Sequence, residues 1–217
     1  MDKIPEKALE RLILYRRILI KFKRENITHL FSHQLAKLAG VTSVQLRRDL
    51  MAIGYSGSSV SGYEINELMN SIGEFIDAAE KQEVALVGVG HLGRAILDYF
   101  HGRRPKLEIT IAFDKDPAIV DRVFHGCRCY HTDQLHPIIF EKNIKVAIIS
   151  VPVDEAQEIA EKLVQAGVTG ILNYSPINLQ LPSEIYVENR DMIMAVEKVA
   201  YFARQKTKEG HNKNEFS

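Results

Sequence analysis

The stretch Val84-Ala85-Leu86-Val87-Gly88-Val89-Gly90-His91-Leu92-Gly93-Arg94-Ala95-Ile96-Leu97 decides the fold. A β-branched apolar run enters a glycine turn and an amphipathic segment leaves it, the pattern of strand, turn and helix. The glycines fall as G-x-G-x-x-G, and each has its own task. Gly88 permits the tight turn, Gly90 lets the backbone approach a diphosphate, and Gly93 lets helix and strand pack closely. Unpaired N–H groups at the start of the helix, aided by its dipole, favour a phosphate at that point.

Glycine-rich loops are common, so the context has to carry the reading. A second apolar run, Leu107–Phe113, ends on Asp114, 21 residues beyond Gly93. An acid at the end of the second strand is placed to accept from a ribose 2′-hydroxyl; the plainer alternative is an ordinary loop aspartate. Asp114 favours NAD(H) over NADP(H) because it repels a 2′-phosphate, and Lys115 beside it blunts that repulsion. The α/β rhythm then continues. Lys145–Ser150 is a buried strand ending in Val151-Pro152, Asp154 is placed to cap a helix Glu155–Gln165, and Gly167 ends that helix. Gly170-Ile171-Leu172 is a further strand, followed by the loop Asn173-Tyr174-Ser175-Pro176, a strand over 185–189 and an amphipathic final helix over Asp191–Lys206. In an open parallel sheet the ligand crevice lies outside the carboxyl ends of the strands. The expected nucleotide contacts are therefore Gly88, Val89, Gly90, His91, Leu92, Gly93, Asp114, Lys115, Val151, Pro152, Asn173, Ser175 and Pro176. The polar stretch 207–217 reads as a disordered tail.

At 217 residues, with 46% hydrophobic and 26% charged residues, the chain reads as one large or two smaller globular domains. No apolar run approaches the ~20 residues of a membrane span, and the first apolar stretch is broken by Glu10, Arg11, Arg16 and Arg17. A cytoplasmic protein without membrane contact is the expectation. The two cysteines, Cys127 and Cys129, are too close in sequence for an ordinary disulfide. Alternation would put His125, Cys127, Cys129 and His131 on one strand face, a conceivable soft-metal site, but the spacing matches no standard zinc pattern and no metal is expected.

A net charge of zero conceals an asymmetry. Residues 1–54 carry 11 Lys+Arg against 5 Asp+Glu, and residues 55–217 carry 17 against 23. A basic piece joined to an acidic body suggests two domains, the basic one meeting a polyanion. After a helix over 6–24, with Leu9, Leu12, Ile13, Arg16, Ile20 and Phe22 on its apolar face, comes Ser32–Leu50. Ser32 can cap one short helix, Gly40 can end it, and Thr42 can cap the next. Ala36, Gly40 and Leu46 have helix-turn-helix spacing: small for close crossing, glycine for the turn, leucine buried between helices. Leu46, Leu50 and Ile53 form one stripe, which leaves Ser43, Gln45, Arg47 and Arg48 as the outward, DNA-reading candidates. The alternative is a helical hairpin with solvated charges. Gly54–Ile65 reads as a β-hairpin wing whose tip holds no Lys or Arg, and a connecting helix over 64–80 leads to a boundary near 80–83.

In combination these segments resemble the redox-sensing transcriptional repressors called Rex. The resemblance rests on Gln45–Leu50, Gly54…Gly57…Gly62-Tyr63, Gly88–Gly93, Phe113-Asp114, Val151-Pro152 with Ala156-Gln157, and Ala166-Gly167 through Ile171–Pro176. It implies an α/β chain with a winged helix-turn-helix domain over 1–80 and a Rossmann-like doubly wound parallel-sheet domain over 81–206. The final helix would be exchanged between the subunits of a homodimer. It further implies binding to double-stranded operator DNA that NADH relieves while NAD+ competes without releasing it, and coupling through Asp191 with Arg16 as its partner. The chain departs from the family's pattern at Ser58 and Ser59, where a Lys-Arg pair is usual, at His91, usually Asn, and at Met192, usually aromatic.

Two other readings compete: an NAD-dependent oxidoreductase, and a CoA-binding module with an appended nucleic-acid-binding domain. From Gln82 to Arg204 there is room only for the nucleotide fold, without a second domain to supply a placed acid or base. A CoA-type ligase needs a nucleophilic histidine on a partner domain, which the basic N-terminus lacks. No catalytic residue is expected.

Overall fold

The computed structural model describes residues 4–58, 60–103 and 106–214, with side chains as far as Lys206. The chain divides into two compact units at Glu80/Lys81.

The first unit contains α1 (Glu6–Arg24), β1 (His29–Leu30), α2 (Ser32–Ala39), α3 (Ser43–Ala52), β2 (Tyr63–Glu64) and α4 (Ile65–Ile76). Helix α1 buries Ala8, Leu12, Tyr15 and Leu19, one stripe at i, i+4, i+7 and i+11. Leu9, Ile13, Ile20 and Phe22, expected on that face, flank it and are only half-buried. Helix α2 is capped one residue earlier than expected. Phe31 is the capping residue, its N–H donates to Gln34 Oε1 at 2.8 Å, and Ser32 is already helical. Gly40 ends α2 in the left-handed region (φ 67°), with Val41 N–H donating to Ala36 O at 3.0 Å. Thr42 caps α3, its Oγ1 accepting from Gln45 N–H at 3.1 Å. Leu46 and Leu50 are buried with Leu12, Leu19, Leu35, Ile65, Leu68 and Ile72 in one core. Strands β1 and β2 pair antiparallel, and a bridge between Ser58 and Gly62 closes the wing that follows α3.

The second unit is a seven-stranded sheet. Its strands are β3 (Gln82–Val87), β4 (Leu107–Asp114), β5 (Val123–Phe124), β6 (Cys127–His131), β7 (Val146–Ile149), β8 (Gly170–Asn173) and β9 (Tyr186–Asn189). Between them lie α5 (His91–Phe100), α6 (Leu135–Glu141) and α7 (Val153–Gln165), and α8 (Met192–Asn214) follows. The spatial order is β5-β6-β4-β3-β7-β8-β9, parallel except for the β5–β6 hairpin. Counting only the parallel strands in chain order gives 3-2-1-4-5-6, the doubly wound Rossmann arrangement, with its switch point between β3 and β7.

The pleat explains why both faces of β3 are apolar. Val84 and Leu86 face one layer with Ile96 and Leu97 of α5, whereas Ala85 and Val87 face the other with Ile139 of α6 and Leu163 of α7. Register against β4 slips by one residue between Val84 and Ala85, so Thr110 is the extra residue of a bulge. That slip lets Ile109 and Ala112 share one layer and Ile111 and Phe113 the other.

Three element boundaries differ from expectation. Helix α7 starts at Val153 after Pro152, which puts Asp154 in the first turn and not at the cap. Helix α4 ends at Ile76. Helix α8 runs to Asn214, through the stretch read as a disordered tail. That stretch holds no proline, and its Lys and Glu residues favour helix; residues 215–217 lie outside the described residues.

Leu46 lies at the crossing of α2 and α3, fully buried. Leu46→Ala is expected to cost about 2–5 kcal/mol by urea denaturation. A loss below about 1 kcal/mol would remove it from the core contact that sets the α2–α3 angle.

Candidate functional site

The carboxyl ends of β3 and β7 meet with no room for a side chain. Gly88 follows β3 with φ 94°, and a Cβ there would lie 2.5 Å from Ser150 O. Its N–H donates to Phe113 O at 2.8 Å, while Ser150 Oγ donates to Gly88 O at 2.8 Å. A Cβ on Gly93 would come within 2.0 Å of Gly88 O, so helix and turn touch backbone to backbone. Gly90, the residue capping α5, differs: a Cβ there would meet nothing within 4 Å. The turn is packed on the protein side and open on the solvent side, as a cradle for a diphosphate requires. His91 is exposed at the first position of α5, Leu92 is half-buried beside it, and Val89 is buried.

Asp114 closes this turn from β4. Its Oδ2 accepts from Val89 N–H at 2.7 Å and its Oδ1 from Asp116 N–H at 2.9 Å. A carboxylate has about four lone-pair positions, so these two bonds fix its orientation and leave acceptor capacity for a ribose hydroxyl. Arg94 supports the turn from below, its Nε–H donating to Val89 O at 3.0 Å. Lys115 reaches away from Asp114 to Glu155 on α7, 2.7 Å between Nζ and Oε1, and that hydrogen bond raises the ammonium pKa.

The remaining expected contacts divide. Val151 and Pro152 lie at the end of β7, where the crevice opens, half-buried and exposed respectively. Pro176 is exposed. Asn173 and Ser175, in contrast, are buried and spoken for. Asn173 Nδ2 donates to Ser175 O, Ile177 O and Asn189 Oδ1 at 2.8–3.1 Å, and its Oδ1 accepts from Ser175 N–H at 3.0 Å. Ser175 Oγ donates to Val151 O at 2.6 Å. Both hold the loop after β8 in place and do not offer side chains to a ligand. Gln157, unremarked by its chemistry in the sequence, clamps the same loop through paired amide bonds to Gln180 backbone, both 2.9 Å. A hollow of about 550 Å³ lies between this loop, the end of β9 and the first turns of α8.

The histidine–cysteine run assembles nothing comparable. Cys127 and Cys129 are buried, and burial pushes their thiols up to about 12 and about 11. His125 sits in the preceding turn with φ 50°, and His131 Nδ1 accepts from Asp133 N–H at 3.2 Å. Among the described residues no group of three or more His, Cys, Asp or Glu is placed to hold a metal ion. No helix there is long and apolar enough to cross a membrane.

In the first unit, α3 exposes Val44, Arg47, Arg48 and Met51, with Ser43 half-buried at its start. Gln45, expected among them, turns inward, its Nε2 donating to Asp49 Oδ1 at 2.9 Å. Asp49 is the buried acid that the sequence reading passed over. Arg11 grips it with two bonds, of 2.6 and 2.7 Å, and Tyr15 OH donates to it at 2.8 Å. Burial opposes its charge, but the bonds from Arg11, Tyr15 and Gln45 outweigh that and hold the carboxyl below its usual range. Helix α3 is thereby pinned to α1 with its arginines facing solvent. A concavity of about 390 Å³ lies between Arg47 and Met51 of α3 and Tyr55–Ser58 of the wing. Ser58 Oγ accepts from Val60 and Ser61 N–H at 3.1 and 3.2 Å, so it braces the wing tip; Ser59 lies outside the described residues. Arg16 Nη1 donates to Asp77 Oδ1 at 2.7 Å, and Asp191 caps α8 by accepting from Met194 N–H at 3.0 Å.

Known proteins align with both units. A family model described as "CoA binding domain" matches residues 79–177, and one described as "Putative DNA-binding protein N-terminus" matches residues 3–50. A protein of Streptococcus thermophilus named redox-sensing transcriptional repressor Rex is 36% identical over 211 residues, 96% of each chain. A crystal structure of RSP in complex with β-NAD+ and operator DNA superimposes with TM-score 0.88 at 25% identity, covering 100% of both chains. RSP in complex with β-NADH gives 0.84 at 25% identity, over 97% of this chain and 99% of that one.

Because the folded-state pKa of Asp49 is depressed, its contribution to stability is present above about pH 4, the unfolded value, and is lost as pH falls through the lower folded value. Asp49→Asn is expected to cost about 1–3 kcal/mol in urea at pH 7 and to lose less on acidification than wild type. Equal stabilities at pH 7 would contradict the pinning role.

Proposed function

Because the chain belongs to the Rex family of redox-sensing transcriptional repressors, we propose that Arg47 and Arg48 of α3 hold operator DNA and that NADH bound at the β3–α5 turn releases it. One observation carries this reading: a single chain joins a helix-turn-helix presenting two solvent-facing arginines to a complete 3-2-1-4-5-6 sheet with an acid at its glycine turn. Arginine pairs bidentately with guanine or phosphate, and a helix of this exposure fits the major groove. At the other site Gly90, His91 and Leu92 present α5's free N–H groups to the diphosphate. Gly88 and Gly93 supply the close packing and Asp114 accepts from the adenosine ribose. Val151 and Pro152, at the end of β7 on the other side of β3 from Asp114, line the crevice beyond the diphosphate, whereas Asn173 and Ser175 act only by shaping the loop that carries Pro176.

The protein is a repressor and not an enzyme. What the site does chemically is to discriminate between states of one ligand: NADH must favour the DNA-incompetent conformation. Turning a mostly bound population into a mostly released one takes about 5.5 kcal/mol of differential affinity. Arg16 and Asp191 are the residues that would carry that coupling; among the described residues the buried Nε of Arg16 has no partner, so Arg16 has donor capacity beyond Asp77. A homodimer joined through α8 is supported by that helix's exposed apolar residues, among them Ile193, Val196, Val199 and Phe202. A repressor of this kind works in the cytoplasm, where DNA and NADH meet.

Fluorescence anisotropy of a labelled palindromic operator, titrated with protein and then with either nucleotide, tests this directly. NADH is expected to release the DNA and NAD+ to leave it bound. Arg47→Ala should weaken specific binding at least tenfold with nucleotide affinity unchanged, and Asp114→Ala should weaken NADH at least tenfold with operator affinity unchanged. DNA release by CoA and not by NADH would favour the CoA-binding reading instead.

A further inference from the structure

Lys115 follows Asp114 at the mouth of the proposed nucleotide crevice, where a cation would ordinarily soften the exclusion of a 2′-phosphate. It is engaged elsewhere. Its ammonium donates to Glu155 Oε1 at 2.7 Å, although Lys115 itself is 65% exposed and Glu155 26%. Lys115 comes from the end of β4, and Glu155 from the first turn of α7, which follows β7. In the sheet β3 lies between those two strands. The pair therefore reaches across the carboxyl end of β3, the end that carries the glycine turn. Asp154 adds negative charge beside it and favours the same protonated lysine. Asp114, held by Val89 and Asp116 N–H, presents a fixed anion on that rim. A ribose 2′-hydroxyl can donate to such a carboxylate. A 2′-phosphate has no proton to donate at neutral pH and needs a cation.

We propose that Glu155 is a nucleotide-specificity residue: by holding Lys115 across the end of β3, it withholds the cation that a 2′-phosphate would need. The inference rests on the reading that Asp114 faces the ribose of a nicotinamide dinucleotide. Glu155 thus acts through Lys115, and with Glu155 neutral the lysine is free to turn toward the ribose. A single exposed ion pair is weak, so the effect on selectivity is modest and measurable.

The test is direct titration of NADH and NADPH by nicotinamide fluorescence against wild type, Glu155→Gln and the double variant Glu155→Gln/Lys115→Ala. Wild type is expected to prefer NADH. Glu155→Gln should narrow the NADPH-to-NADH Kd ratio roughly fivefold, the scale of one surface charge pair, by tightening NADPH with NADH held within twofold. The double variant should return to the wild-type ratio. An unchanged ratio in Glu155→Gln overturns the proposal while leaving the nucleotide reading intact. A ratio that stays narrowed in the double variant overturns it too, since Glu155 would then act without Lys115. Wild type that binds neither nucleotide overturns the parent reading and the proposal together.

Discussion

The second unit depends on one contact, the backbone-to-backbone approach of Gly88, Gly93 and Ser150. A Cβ on Gly88 would sit 2.5 Å from Ser150 O, and one on Gly93 2.0 Å from Gly88 O. These separations cannot be relieved by a side-chain shift, because the opposing atoms are main chain. The ends of β3 and β7 are thus brought together at the point where the sheet's winding reverses, and the free N–H groups of α5 emerge there and nowhere deeper. Asp114 then completes the turn: by accepting from Val89 N–H it ties the β4 end to the glycine loop. One residue builds the cradle and, in the proposed binding mode, also marks the ribose position.

A charged contact plays the same organising part in the first unit. Asp49 lies inside the α1–α3 interface with four hydrogen bonds from Arg11, Tyr15 and Gln45. A buried carboxylate left unpaired would be costly, so the network is favourable only when α3 adopts one rotation against α1. That rotation is the one that turns Arg47 and Arg48 to solvent. Polar burial here specifies orientation, which an apolar interface of similar area would do less sharply.

Features that depend on local chain chemistry were legible from the sequence. The glycine turn, the αL cap at Gly40, the Thr42 cap and the buried Leu46 stripe each require a particular residue at a particular offset. What local rules do not reach has a different cause. Gln45 was placed outward because helical spacing alone cannot show that its acceptor, Asp49, is held by residues 34 and 38 positions earlier. Asn173 and Ser175 are expected near the ligand because they follow the carboxyl end of a strand in an open parallel sheet, and that rule does not show that their side chains are already engaged. The bonds that consume them run to Ile177, Asn189 and Val151. Lys115 was weighed only against its neighbour Asp114, since Glu155 is 40 residues away. Ser32 is the better cap by residue type, yet the turn closes on Phe31, where Gln34 N–H donates to Phe31 O at 3.0 Å and Phe31 N–H donates to Gln34 Oε1, so no capping hydroxyl is used. Local rules located the sites, and long-range pairing decided which side chains were free to act in them.

The adenosine end of the crevice also constrains how oxidation state can be read. NADH and NAD+ are identical at the diphosphate and the adenosine ribose, so Gly88–Gly93, Asp114, Lys115 and Glu155 contribute equally to both. A ligand with equal affinity for two conformations shifts neither. In the proposed binding mode these residues therefore select the dinucleotide and supply affinity, but contribute no part of the response to redox state. Discrimination has to arise beyond the diphosphate, where the reduced ring has lost the positive charge of the oxidised one. On this sheet that direction leads past Val151 toward the loop that Asn173, Ser175 and Gln157 hold so tightly. A loop fixed by buried amide bonds is a poor adaptor and a good reference surface: small differences in the ring are then met by displacement of what packs against it, not absorbed by the loop.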